Sequence, residues 1–112
     1  MAKRIDEARD ELAQRIRDQL ASRAGVREMN MFGGVSFMVD DRLAVAAGTG
    51  GDLLVRVDPH EYDQLLTEGA TPALMNTERP MGRGWMTAPS ALLDDEAGLA
   101  YWVNVGINSR KA

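Results

Sequence analysis

The chain has 112 residues, the length of one domain with a single core, and 45% of them are hydrophobic, as in folded soluble proteins. It carries 13 Lys and Arg against 17 Asp and Glu, and a net charge of −4 argues against a dedicated nucleic-acid-binding protein, which usually presents a basic surface. The chain has no cysteine, which excludes disulfides and thiolate chemistry. The sequence shows no signal-peptide core and no apolar run of membrane-spanning length, so we predict a cytoplasmic protein.

The first predicted element is an amphipathic helix over residues 3–24. Apolar residues recur along it at helical spacing, with charged residues on the other faces. The apolar positions are Ile5, Ala8, Leu12, Ile16 and Leu20. Gly25 is typical of a helix end.

Three strands are predicted next. Residues 35–39, 43–47 and 53–57 are apolar runs of strand length, and the first two are separated by Asp40-Asp41. This pair lacks the glycine of the favoured two-residue turns, so a longer loop is an alternative to a tight hairpin.

The second half begins with a predicted helix. Asp58 is its expected N-cap, Pro59 occupies the first helical position, and Gly69 ends it. Two short strands are predicted at 73–75 and 85–87, with a loop between them.

A last helix is predicted to begin after Asp94 or Asp95 and to continue to residue 107. Clustered antiparallel strands between helices predict an α+β fold, an antiparallel sheet flanked by helices, in a single domain over residues 1–112. Its core is expected to span 29–107, and the tail 108–112 is expected to fray. Helices would cover one sheet face, and an apolar opposite face would need a partner, which favours a homodimer.

Several short motifs, in this order, resemble those of the TfoX/Sxy N-terminal domain family. The likeness runs from about residue 29 to residue 107. The motifs are Met31-Phe32-Gly33-Gly34, the run Leu53-Leu54-Val55-Arg56-Val57-Asp58, Arg79-Pro80-Met81, and Pro89 followed by Leu92-Leu93.

The resemblance implies a secretion-chaperone-like α+β fold that is commonly dimeric. It also implies a regulatory role, since the founding members regulate natural competence together with the cyclic-AMP receptor protein at promoters. The family has no established catalytic residues, so none is expected here. In the competence regulators a second, C-terminal domain follows, and this sequence is expected to end where that domain would begin.

The predicted binding patch consists of Arg79, Arg83 and Trp85. Exposed arginines beside an indole can bind a carboxylate, a phosphate or a peptide through forked hydrogen bonds and stacking. The alternative is a tight loop in which Arg79 pairs with an acidic residue and Trp85 fills the core.

Six residues are predicted to have a structural role, shaping the backbone around this patch. They are Phe32, Gly33, Gly34, Pro80, Met81 and Gly82. The glycine pair precedes a strand and lacks the Lys-Ser/Thr of a phosphate loop, so turn geometry is the favoured interpretation.

No catalytic residue, metal site or cofactor is predicted. His60 is the only histidine and has no cysteine near it, and the methionines are expected to fill the core or an interface. We therefore predict a non-catalytic regulatory domain that binds a protein partner, for example a component of the transcription machinery. The alternatives are a direct nucleic-acid binder, or a small-ligand or enzyme domain with its pocket near Arg79 and Trp85.

Overall fold

Six strands and three α-helices make up the part of the chain that the computed structural model describes, which is residues 7–31, 34–74 and 81–109. The α-helices are α1 (Glu7–Gln19), α2 (Tyr62–Thr67) and α3 (Glu96–Asn108). The strands are β1 (Val26–Met31), β2 (Gly34–Val39), β3 (Arg42–Ala47), β4 (Leu53–Arg56), β5 (Thr71–Pro72) and β6 (Trp85–Ala88). Short 3₁₀ turns occur at Thr49–Gly51, Pro59–Glu61 and Ser90–Leu93.

The strands form one sheet in the order β1-β2-β3-β4-β6-β5. Every neighbouring pair is antiparallel. The predicted α+β class with an antiparallel sheet is therefore confirmed.

The turn between β2 and β3 is a tight two-residue hairpin. Asp40 has a φ of 54° and Asp41 a φ of 70°, so both adopt the left-handed conformation of a type I′ turn. The longer loop considered from the sequence is not formed. The right-handed twist of the strands favours this turn even though neither position is glycine.

One face of the sheet packs against α1 and α3. The sheet residues on this face are almost inaccessible to solvent, and Phe37, Leu53 and Val55 each have 0% of their surface exposed. Ile16 of α1 and Leu99 of α3 belong to the same buried cluster. The core thus lies between the sheet and two helices.

Helix α3 approaches β3 most closely at Gly106. A Cβ atom at this position would lie 2.4 Å from the carbonyl oxygen of Ala44 and 2.7 Å from Cγ1 of Val45. Both distances are shorter than van der Waals contact, so only glycine allows this approach.

Several element boundaries differ from the sequence prediction. Helix α1 ends at Gln19 because Leu20 to Ala24 form turns, with the Arg23 amide donating to the Leu20 carbonyl. Residues 3–6 of the predicted helix lie outside the described residues. Helix α3 continues through Asn108, where fraying was predicted, and Ser109 Oγ donates to the Gly106 carbonyl at 2.7 Å.

Two strand predictions also change. β1 was not predicted, because the sequence from Val26 to Met31 alternates charged and apolar residues only weakly. β5 lies at Thr71–Pro72, before the predicted 73–75 strand, because Thr71 pairs with Thr87 and Pro72 with Met86.

Replacing Gly106 by alanine is expected to destabilise the fold by about 1–3 kcal/mol, since the added methyl group must push α3 away from the Ala44 carbonyl. Urea unfolding followed by circular dichroism would measure this. Asn108→Ala, an exposed position on the same helix, is the control and should stay within about 0.5 kcal/mol of the wild type. A Gly106→Ala variant as stable as the wild type would contradict the close approach.

Replacing Asp41 by glycine is expected to stabilise the protein by about 0.5–1 kcal/mol, because glycine adopts a φ of 70° without strain. Asp41→Ala is the matched control. Like the glycine variant, it loses the exposed ion pair with Arg27. Because alanine keeps a Cβ atom, it retains the strain of the left-handed conformation and should not stabilise the protein. Thermal unfolding midpoints of the two variants would separate these effects, and an equal change in both would refute the turn assignment.

Candidate functional site

The face of the sheet opposite α1 and α3, called here the open face, carries the candidate site. Residues directly opposite each other in the strand register share a face, so the register identifies its members. They are Arg27, Met29, Ser36, Met38, Leu43, Ala46, Leu54, Arg56, Trp85 and Thr87. Most are apolar, and Met29 is 43% exposed.

Trp85, a predicted binding residue, stacks against Arg56 on this face. The two residues are register partners in β6 and β4, and the guanidinium carbon of Arg56 lies 4.6 Å from the centre of the indole ring. Arg56 Nε also donates to the Leu43 carbonyl at 3.0 Å. Partial burial lowers the pKa of Arg56, and the nearby positive charge of Arg42 lowers it further. The pair is thus a fixed cationic and aromatic unit at the end of the open face.

Arg83, the second predicted binding residue, has other partners. Its guanidinium carbon lies 4.7 Å from the ring centre of Tyr62. Arg83 Nη2 is 3.4 Å from Asp63 Oδ2 and donates to the Pro59 carbonyl at 3.4 Å. These contacts join the segment before β6 to α2, and they leave the side chain 55% exposed.

The third predicted binding residue, Arg79, lies outside the described residues, as do Phe32, Gly33 and Pro80 of the predicted structural motifs. The structure therefore describes two of the three patch residues, and these two have different partners. It pairs Trp85 with Arg56 and Arg83 with α2.

Three of the predicted structural residues, Gly34, Met81 and Gly82, lie in the described part of the chain. Gly34 begins β2 opposite Met31. The Met81 amide donates to the Ala73 carbonyl at 2.8 Å, and Gly82 has a φ of 101°, a left-handed conformation that favours glycine. Met81 and Gly82 thus set the entry into β6.

An open crevice lies on the same face beyond Leu54. Its volume is about 360 Å³, and its lining is mainly apolar. Leu54, Leu74, Met81 and Thr87 line it, and Leu74 is 46% exposed. Asp52 stands at its edge, but one of its carboxylate oxygens already accepts the Ser90 amide at 2.9 Å. The crevice therefore offers apolar contact more than charge.

The arginines of α1 are largely neutralised by neighbouring acids. Arg9 pairs with Asp10, Arg15 with Glu96, and Arg17 with Glu28. Only net positive charge on a face releases counterions from nucleic acid, so these pairs weaken the nucleic-acid interpretation.

The pKa shifts of the hydrogen-bonded pair Tyr101 and Glu68 do not favour acid–base catalysis. The hydroxyl of Tyr101 donates to Glu68, and this hydrogen bond, together with partial burial, raises the pKa of Tyr101 to about 12. The same hydrogen bond, with one from Gln64, lowers the pKa of Glu68. Both shifts move these groups away from the neutral pKa that proton transfer requires. No group of three or more possible metal ligands occurs among the described residues.

Sequence reasoning missed Arg56, Leu54 and Leu74 as members of the site. The available signal was one charged residue inside the apolar run from Leu53 to Val57. A charged residue in such a run indicates that its side chain reaches solvent or stacks on a neighbouring side chain.

The chain matches the family model described as TfoX N-terminal domain over residues 18–109, which confirms the family suspected from the motifs. No curated protein and no solved structure matches the chain. Within the described residues, no helix has the length and apolar character needed to cross a membrane.

The Tyr101–Glu68 hydrogen bond gives a testable pH dependence. The raised pKa means that the bond stabilises the fold below pH about 10 and is lost as the pH rises toward 12. In a Tyr62→Phe background Tyr101 is the only tyrosine, so absorbance at 295 nm reports its ionisation. Adding Glu68→Gln should move the midpoint down toward about 10. An unchanged midpoint would rule out the carboxylate as the cause of the shift.

Proposed function

The chain belongs to the TfoX N-terminal domain family, and we propose that it is a non-catalytic domain that acts in regulation by binding another protein. The binding surface is the open face, from Leu43 across Leu54 to Leu74 and the Arg56–Trp85 pair. We place this domain in the cytoplasm. By analogy with the family, whose best-known role is competence regulation, we propose that it acts in the control of transcription.

The observation that carries the proposal is the composition of the open face. Helices α1 and α3 cover the opposite face, whereas Met29 and Leu74 on this one are 43% and 46% exposed. These two residues lie at opposite ends of the sheet, and the apolar residues Met38, Leu43, Leu54 and Trp85 between them are partly exposed. Exposed apolar area that extends over one surface of a domain is typical of an interaction site. Methionine, arginine and tryptophan are also the residue types enriched at protein interfaces.

The geometry favours a protein partner over a small polar ligand. The crevice of about 360 Å³ is open and mainly apolar, and its acidic residue, Asp52, is occupied by the Ser90 amide. An apolar side chain of a partner could enter it beside Leu54 and Leu74. The Arg56 guanidinium and the Trp85 ring, held together at 4.6 Å, would flank such a contact and supply hydrogen bonds at its edge.

Leu74→Asp tests this proposal, because it places a charge in the crevice at a position that already reaches solvent. Immobilised wild-type protein and the variant are each exposed to a cell extract, and retained proteins are identified by mass spectrometry. A partner retained by the wild type is then purified and titrated by calorimetry. We expect Leu74→Asp to weaken its binding at least tenfold, and apolar burial predicts a negative heat-capacity change for the wild type.

Leu66→Asp is the matched control. Leu66 is 38% exposed and lies on α2, so the same change of residue there should leave binding unaltered. Equal binding by the Leu74 variant and the wild type would exclude the open face as the interface.

A further inference from the structure

The outer edge of β1 is a second surface of the sheet on which the described part of the chain places no other strand. Among the described residues β1 pairs only with β2, over an uninterrupted register of six residue pairs. Arg27, Glu28, Met29 and Asn30 are all exposed. β1 contains neither a proline nor a bulge, two features that protect edge strands from pairing with another chain, and its protecting charges are limited to Arg27 and Glu28.

The hydrogen bonds of the β1–β2 ladder show which backbone groups face outward. The Asp40 amide donates to the Gly25 carbonyl at 2.9 Å, so Gly25 directs its carbonyl toward β2. Antiparallel ladders alternate, so Arg27 and Met29 also bond toward β2. Val26, Glu28 and Asn30 therefore present their amide and carbonyl groups to the outer edge.

We propose that a second copy of this chain pairs with this edge, β1 antiparallel to β1, about a two-fold axis through Met29. This inference rests on the proposed interaction role and names a surface for its homodimer. A two-fold axis perpendicular to the sheet keeps both open faces on the same side. It also places residues of the same face opposite each other.

The charges of β1 disfavour two of the possible registers. An axis through Glu28 would place two carboxylates side by side, and an axis through Arg27 would oppose two guanidinium groups. With the axis at Met29, Glu28 of each copy lies opposite Asn30 of the other, and both have outward backbone groups ready to bond. The two Met29 residues then form a non-hydrogen-bonded pair, in which side chains approach closely, and each covers the other.

The opposite end of the sheet explains why such an assembly would stop at two copies. β5 is only two residues long, and one of them, Pro72, has no backbone N–H. A strand cannot be added efficiently at this edge. Pairing through β1 alone is self-complementary and closed, so it forms a dimer and not an open-ended ribbon.

Charge-swap variants test the inference. Met29→Lys and Met29→Glu each place like charges on the two-fold axis, so each alone should weaken dimerisation at least tenfold. Mixed in equal amounts, they should form a heterodimer, because the lysine of one copy then faces the glutamate of the other. Sedimentation equilibrium would measure the dissociation constant of the wild type, of each variant and of the mixture. The protein concentration should range from about 1 µM to 1 mM, because paired strand edges bury less area than a standard interface and are expected to bind weakly.

Leu74→Lys is the control, since Leu74 has a similar exposure on the same face but lies away from β1. It should leave the wild-type dimer intact. Circular dichroism and unfolding midpoints would establish that every variant is folded.

Met29→Cys supplies an independent readout, because the chain has no cysteine of its own. A non-hydrogen-bonded antiparallel pair has a Cα separation of about 4.5 Å, within the range for a disulfide, so mild oxidation should link two copies. The same replacement at Leu74 should not.

A wild-type protein that is monomeric throughout the concentration range would overturn the inference. So would Met29 variants that dimerise as the wild type does, a mixture that stays monomeric, or a dimer lost only in Leu74→Lys. These outcomes are independent of the partner-binding experiment with Leu74→Asp, which tests the proposed function. The failure of the β1 interface is therefore distinguishable from the failure of the proposed function.

Discussion

The contact between α3 and β3 at Gly106 determines how the rest of the domain is arranged. Because a hydrogen atom stands where other residues carry a Cβ, the α3 backbone reaches the Ala44 carbonyl, and Trp102 and Val103 can enter the core. α1 completes the same layer through Leu12 and Ile16. The two long helices thus lie on one face of the sheet, and neither of them covers the apolar residues of the other face.

Much of this fold could be predicted from local patterns. The strands from Gly34 to Arg56 are continuous apolar runs with turn residues between them, and α3 has a clear N-cap in Asp95, whose side chain accepts the Gly98 amide at 2.7 Å. β1 could not be predicted in this way. It lies at the edge, its side chains are exposed, and pairing with β2 is what makes it a strand.

The candidate site was less accessible to sequence reasoning, because it depends on pairing between distant segments. Trp85 was recognised as a binding residue, but its stacking partner, Arg56, becomes visible only when β4 and β6 are aligned. Arg83 is close to Trp85 in sequence, yet it turns toward Tyr62 and Asp63 of α2. Neighbouring positions in a loop can thus serve different parts of the fold, which spacing in the sequence does not reveal.

The strand order also has a consequence for how the chain folds. β1 to β4 are neighbours in both sequence and space, so they can form as successive hairpins with short loops. The pairing of β6 with β4 must instead close the long loop between Arg56 and Trp85. Closing a long loop costs more conformational entropy than forming a hairpin, so this pairing is expected to form more slowly. β5 comes before β6 in the chain, but within the described residues β6 is the strand with which it pairs, so β5 joins the sheet only when β6 has docked. The fifth strand of the chain therefore enters the sheet only together with the sixth, or after it.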